Sequence, residues 1–212
     1  MSFSRVIAAV LSVSLLLAPS MNAQQPVAPP AWVERSNQDA QVLLKVLARF
    51  NPEAAARFGV SGVDEQVADL QPNFLERERQ ALRQAQGELE RMLAEEKDPA
   101  VRQDLEIMIK AAKRNARESE LEEKYEILYV NLHQLVFFGT RALLDDQVAP
   151  ERRQAALVRL RKYAGMEPGS TSIVQLTEER SRERLKKPGL MGPLESLLIS
   201  SSTSFLKVKS ND

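Results

Sequence analysis

The spacing of the apolar residues from Glu34 onwards is the feature that most restricts the fold of this chain. These residues recur every three or four positions, as in Val101, Leu105, Ile109 and Ala112, and they do not alternate as in a half-buried strand. Such a spacing places apolar side chains on one face of a helix. The sequence therefore predicts an all-α fold, a helical bundle of about six to seven helices joined by short loops.

Capping residues, prolines and glycines indicate where these helices begin and end. Asn51-Pro52 closes a first helix and opens a second one, which Gly59 ends, and Asp98-Pro99 repeats the combination of a cap and a proline. Residues 59–71 are predicted to form a loop. Further helices are expected to begin at Pro72, to run from Pro150 to Gly165, and to run from about Ser172 to Lys187.

The segment from Ile127 to Gly139 is apolar on most sides, and this predicts the central and most buried helix. The same predicted helix has apolar residues at a 4-3-4-3 spacing that suits antiparallel helix packing. These residues are Leu121, Tyr125, Leu128, Leu132 and Leu135. In the helix after Pro150, the residues expected to point inward are Ala156, Leu157, Leu160 and Tyr163.

The first 23 residues have the layout of a secretory signal peptide. Arg5 precedes an apolar run, Val6 to Leu17, which is followed by small and polar residues. This run is too short to span a bilayer, which needs about 20 helical residues. We therefore expect export to the periplasm or the extracellular space, cleavage after Ser20 or Ala23, and no integral membrane segment in the mature chain.

The remaining chain divides into three parts by composition. Residues 24–31 form a Pro-rich spacer that is expected to be extended or disordered, and residues 32–193 form the helical domain. Residues 194–212 are rich in serine and lack a helical stripe. We expect this tail to be either disordered or an aberrant end left by truncation or a frameshift.

Composition excludes most catalytic centres. The chain has no Cys and one His, so disulfides, thiolate catalysis, thiolate zinc sites and sites with two imidazoles are ruled out. His133 lies among apolar residues and is interpreted as a hydrogen-bonded core or boundary residue. The 29 basic and 29 acidic residues balance, so nothing indicates a nucleic-acid partner.

The acidic residues do not form a recognisable site. Asp64-Glu65 with Asp69 lacks the spacing of a calcium-binding EF-hand loop, and adjacent acids such as Asp145-Asp146 point about 100° apart on a helix. The run from Glu178 to Lys187 alternates in charge and is interpreted as a solvated helix face, with Glu178/Arg182 and Glu183/Lys187 ion pairs. The sequence thus predicts no catalytic, cofactor-binding or metal-binding residue, and no cofactor.

Several stretches resemble the N-terminal half of the bacterial family catalogued as domain of unknown function 885. Asn51-Pro52-Glu53 followed by Gly59 is similar to that family's x-P-E-x-A-x-x-x-G run. The loop ending at Asp69-Leu70-Gln71-Pro72 resembles its Leu-Pro-Asp-x-Ser connection, although the order is not kept. The helix from Asn73 and the stretch from Asp98 to Leu121 resemble that family's following helical pair, and the similarity covers roughly Trp32 to Pro193.

The resemblance implies a zinc-metallopeptidase-like parent whose His-Glu-x-x-x-Gly-His-His-like motif lies further on and matches nothing in this chain. The leading hypothesis is an exported, catalytically incomplete helical module that does not hydrolyse peptides by a zinc mechanism on its own. If the module is truncated, its exposed apolar surface should cause self-association. The alternative is a free-standing periplasmic adaptor that binds a protein or peptide through Leu128, Leu132 and Leu135. A metal-independent enzyme is the least favoured hypothesis.

Overall fold

The computed structural model describes residues 30–191, and these residues contain seven α-helices and no strand, which confirms the all-α prediction. The expected signal peptide, nearly all of the spacer and the serine-rich tail lie outside the described residues. Among the residues that are described, no helix is both long and apolar enough to cross a membrane. The helices are α1 Ala31–Phe50, α2 Pro52–Arg57, α3 Phe74–Glu95, α4 Pro99–Tyr125, α5 Leu132–Leu144, α6 Pro150–Ala164 and α7 Ile173–Leu185.

Helices α1, α3 and α4 share one apolar core. Leu89 of α3 and Val101 and Leu105 of α4 are completely buried in it. Helices α3 and α4 are antiparallel, because Arg79 near the start of α3 donates to the backbone carbonyl of Ser119 near the end of α4. The predicted stripe of α4, formed by Val101, Leu105, Ile109 and Ala112, is confirmed because all four residues are buried. This is the side of α4 that packs against α3.

Helices α5, α6 and α7 surround a second core. Its buried members are Leu70, which lies in the loop before α3, together with Tyr163, Ile173 and Leu176. On α5, Leu143 is completely buried against Ala155 and Ala156 of α6. The small alanine side chains let the two helices approach closely, so α5 and α6 pack through a narrow strip.

Helix α7 binds the rest of the fold through buried arginines rather than through apolar residues alone. Arg184 is 8% exposed and donates to two backbone carbonyls at the end of α4: that of Glu122 in the last turn, at 3.1 Å, and that of Glu126 directly after the helix, at 2.6 Å. Carbonyls at a helix end otherwise need water or a cap. The interpretation of residues 178–187 as a solvated face is therefore wrong for Arg180 and Arg184, which are 6% and 8% exposed. The exposed Glu178–Arg182 ion pair is confirmed. The predicted Glu183–Lys187 pair is wrong, because Glu183 binds Arg180 and Lys187 binds Glu123.

The predicted continuous helix through the 4-3-4-3 leucine stripe is wrong. Helix α4 ends at Tyr125, and the chain is not helical from Glu126 to Asn131. The backbone of Met191 bonds to Tyr125 and Ile127 across this gap, at 2.7 and 2.8 Å. The side chain of Asn131 then caps α5 by accepting from the amide of Gln134. These local hydrogen bonds compete with helix continuation, which the apolar pattern alone does not reveal.

Helix α5 is also not the most buried helix. Phe137 and Phe138 are 55% and 48% exposed, because only the side that carries Gly139 and Leu143 is covered by neighbouring helices. The prediction for α6 is also wrong in part, because Leu157 and Leu160 are exposed rather than pointing inward.

The start of α3 lies two residues after the expected position at Pro72. Asn73 has a φ of 58° in the left-handed region, so the helix begins only at Phe74. Asparagine tolerates this conformation better than most residues do. The proline therefore belongs to the turn before the helix rather than to the first helical turn.

Candidate functional site

Glu53 is a buried carboxylate at the beginning of α2. Asn51 accepts a hydrogen bond from the amide of Ala54 at 3.0 Å, and Pro52 occupies the first helical position, so the predicted cap is confirmed. Asn51 is the one non-helical residue between α1 and α2. Glu53, two positions further on, is only 5% exposed.

One oxygen of this carboxylate carries all of its hydrogen bonds. The hydroxyl of Tyr163 on α6 donates to Glu53 Oε1 at 2.7 Å, and the amide of Ala68 donates to the same atom at 3.0 Å. Glu53 Oε2 is buried and has no hydrogen-bond partner within residues 30–191. Buried polar atoms in proteins are nearly always paired, so an orphaned carboxylate oxygen marks this position as a candidate site.

The surroundings of Glu53 are fixed by a completely buried arginine and a glycine. Arg159 donates to the backbone carbonyls of Gly139 at 2.9 Å and Val63 at 2.8 Å. Gly139 packs against the hydrogen-bonded side chains of Glu53 and Tyr163. A Cβ atom at this position would collide with the Tyr163 hydroxyl and lie 3.0 Å from Cγ of Glu53. These residues join α2, α5, α6 and the loop of residues 59–71 around one carboxylate.

The pKa of Tyr163 is raised far above its usual value of 10.0, first by burial and then by the adjacent carboxylate of Glu53, to which the hydroxyl is hydrogen-bonded. Tyr163 therefore stays protonated at neutral pH and donates its hydrogen bond to Glu53. Because the folded protein favours the protonated phenol, this stabilisation is complete below about pH 10 and is lost as the pH rises further.

A cleft of about 360 Å³ borders Glu53, and we call it the Glu53 cleft. Its α2 side consists of Asn51, Glu53 and Arg57. The opposite side comes from the non-helical segment before α5 and from α5 itself, and it includes Tyr129, Val130, Asn131, Gln134, Leu135 and Phe138. Charged, carboxamide and apolar groups thus meet in one small space, as is typical of sites for small ligands.

A second surface is a shallow apolar groove, which we call the α5–α6 face. It is defined by Phe137, Arg141 and Leu144 of α5, by Leu160 of α6, and by Asp145-Asp146 after α5. The groove encloses about 660 Å³, and its three large apolar side chains are 44–55% exposed. It carries one basic side chain and two acidic ones around an apolar centre.

Asp64 and Asp69, two of the acids considered as possible metal ligands, form ion pairs in the structure. Asp64 binds Arg152 through two hydrogen bonds of 2.7 Å, which lower the pKa of Asp64. Burial acts to raise the pKa of Asp69, but hydrogen bonds from Arg77 outweigh it, so that pKa is lowered too. Within residues 30–191, no group of three or more His, Asp or Glu side chains could hold a metal ion.

The structure corrects the predictions for His133 and for the leucine face. His133 is exposed at the start of α5, so its interpretation as a core or boundary residue is wrong. Leu132 and Leu135, which were expected to form a partner-binding face, are partly buried against the second core. The exposed apolar surface of the described residues instead includes Phe137 and Leu160, which sequence periodicity had assigned to the interior.

From the sequence, Glu53 is recognisable only as part of the Asn51-Pro52-Glu53 run. Its role as a buried centre was missed because Tyr163 is 110 residues away and nothing in the local pattern links the two positions. The available signals were a carboxylate one residue after a capped proline and a tyrosine that was expected to point inward.

Comparison with known proteins gives a match to the family model described as "Bacterial protein of unknown function (DUF885)", over residues 52–201. The matched range includes Glu53, Gly139, Arg159 and Tyr163. The search of curated proteins and the search of solved structures gave no match.

We predict opposite effects for alanine at two helical glycines. Gly139→Ala should lower the free energy of unfolding by about 1–3 kcal/mol, because the added Cβ collides with Tyr163 and forces the cluster apart. Gly87→Ala on α3 has no atom within 4 Å of the added Cβ and should raise that free energy by about 0.5–1 kcal/mol. Urea denaturation followed by circular dichroism measures both, and equal effects would contradict the tight packing at Gly139.

Proposed function

Because this chain belongs to the DUF885 family of bacterial proteins of unknown function, we propose that residues 32–193 form an exported, non-catalytic helical module that associates through the α5–α6 face. In the zinc-metallopeptidase-like parent implied by the resemblance, it would supply the N-terminal helical part and not the metal site. The single His and the absence of Cys from the sequence support a role in binding rather than in zinc-dependent hydrolysis.

The observation that carries this proposal is the exposure of Phe137, Leu144 and Leu160 on adjoining helices. Their exposed fractions are 55%, 55% and 44%. Removing apolar surface from water yields about 25 cal/mol per Å². Exposed aromatic and aliphatic residues grouped around a groove are typical of a protein-binding surface.

The charges of the face favour a second copy of this chain as its occupant. Arg141 and Asp145-Asp146 flank the same apolar groove. In a two-fold symmetric dimer, each surface meets an identical one, so the arginine of one copy can lie opposite the acids of the other. A face with both signs around an apolar centre is thus complementary to itself.

We predict that Phe137→Glu weakens self-association by at least about tenfold, since it places a charge in the apolar centre of the interface. Ile107→Glu on α4 is the matched control, because Ile107 is equally exposed at 55% but lies outside the face. Sedimentation velocity over a concentration series gives the association constants, and circular dichroism checks that each variant is folded.

A wild-type protein that stays monomeric throughout that series would contradict self-association. It would favour the alternative, a periplasmic adaptor that presents the α5–α6 face to a different protein. Equal weakening by Phe137→Glu and Ile107→Glu would also contradict the assignment of this face.

We predict export on the basis of the first 23 residues. Expressed in a Gram-negative host, the protein should be recovered from the periplasm with Met21 or Gln24 as its first residue, as determined by N-terminal sequencing. Deleting the apolar run Val6 to Leu17 should retain the protein in the cytoplasm. Uncleaved wild-type protein in the cytoplasmic fraction would contradict the prediction.

A further inference from the structure

We propose that the Glu53 cleft binds a small zwitterion, an ammonium group and a carboxylate on one molecule, of the size of a free apolar amino acid. This inference is independent of self-association, because the cleft and the α5–α6 face are lined by different residues. It rests on the unsatisfied carboxylate, on a cation one helical turn away, and on the shape and polarity of the cleft.

The ammonium end of the ligand is assigned to Glu53. Oε1 already accepts two hydrogen bonds, whereas Oε2 accepts none from residues 30–191. Within the same residues, no Lys, Arg or His nitrogen lies within salt-bridge distance of this carboxylate, although it is nine-tenths buried. The buried Arg159 donates to the carbonyls of Gly139 and Val63 instead of to Glu53. A buried carboxylate without an ion-pair partner is costly, and an ammonium group supplies both positive charge and hydrogen-bond donors.

The carboxylate end is assigned to Arg57. Arg57 lies four residues after Glu53 on α2, so the two side chains emerge on the same side, with Cβ atoms about 5–6 Å apart. Both line the cleft, yet they form no ion pair with each other. The exposed guanidinium has no ion-pair partner among the residues that the structure describes, and guanidinium groups bind carboxylates through paired hydrogen bonds.

The carboxamides of the cleft add donors for an anionic group. Asn51 and Asn131 use their side-chain oxygens to cap α2 and α5, at 3.0 and 3.2 Å. Capping through oxygen leaves the amide nitrogen of each side chain as a hydrogen-bond donor. A ligand with only a positive charge would leave these donors and Arg57 unused, which is why a zwitterion fits better than a simple amine.

The remaining lining selects for an apolar side chain on the ligand. Val130, Leu135 and Phe138 border the cleft, and its volume of about 360 Å³ is sufficient for an amino acid but not for a folded partner. Burying an aliphatic or aromatic side chain against these residues removes apolar surface from water and so favours binding. The proposed ligands are therefore amino acids such as leucine, methionine and phenylalanine.

Isothermal titration calorimetry with L-leucine, L-methionine and L-phenylalanine tests the proposal on the full chain. We expect saturable binding of at least one of them. N-acetyl-L-leucine lacks the ammonium group and L-leucinamide lacks the carboxylate, so each should bind at least about tenfold more weakly than L-leucine if L-leucine is the ligand. For methionine or phenylalanine, the corresponding N-acetyl and amide derivatives are used.

Three variants locate the binding. Glu53→Gln should abolish binding, and Arg57→Gln should weaken it at least about tenfold. Arg83→Gln, at an exposed arginine of α3 that does not line the cleft, should leave the affinity unchanged. If circular dichroism shows that Glu53→Gln is unfolded, Arg57→Gln decides, because Arg57 is exposed and its replacement should not disturb the fold.

The proposal is overturned if none of the three amino acids binds saturably, which would mean that water alone satisfies Glu53. It is also overturned if the N-acetyl derivative binds as tightly as the free amino acid, or if Arg57→Gln and Arg83→Gln have equal affinities.

Discussion

A carboxylate that is almost completely removed from water must obtain its hydrogen bonds from the protein, and this requirement shapes half of the fold. Glu53 draws donors from Tyr163, on α6, and from the backbone of Ala68. The completely buried Arg159 holds the same region by bonding to the carbonyls of Gly139 and Val63. Each contact joins segments far apart in sequence, so α2, α5, α6 and the loop of residues 59–71 depend on one another.

The other half of the fold has a different physical basis. Helices α1, α3 and α4 pack through apolar residues such as Leu89 and Leu105, which need no specific partner. The two halves are connected by Arg184, whose guanidinium bonds to carbonyls at the end of α4. The α1–α3–α4 core is thus apolar, whereas the polar cluster around Glu53 borders a cleft. Both candidate surfaces are lined by residues of α2, α5 and α6 and of the segments next to them.

Local features were predictable from the sequence, and long-range polar contacts were not. Asn51 and Asp98 cap the helices they were expected to cap, since a cap depends on residues only two or three positions away. The break after Tyr125 was missed because it depends on backbone bonds to Met191. The exposed Phe137 was missed because periodicity identifies an apolar face but not whether another helix covers it.

The central claim is that Glu53 and Tyr163 hold the second half of the fold together as one unit, and a double-mutant cycle tests it most directly. Glu53→Met, Tyr163→Phe and the double variant are compared by their free energies of unfolding in urea. The account predicts that the double variant is less destabilised than the sum of the two single variants, with a coupling of about 1–3 kcal/mol. Additivity within about 0.5 kcal/mol would contradict it.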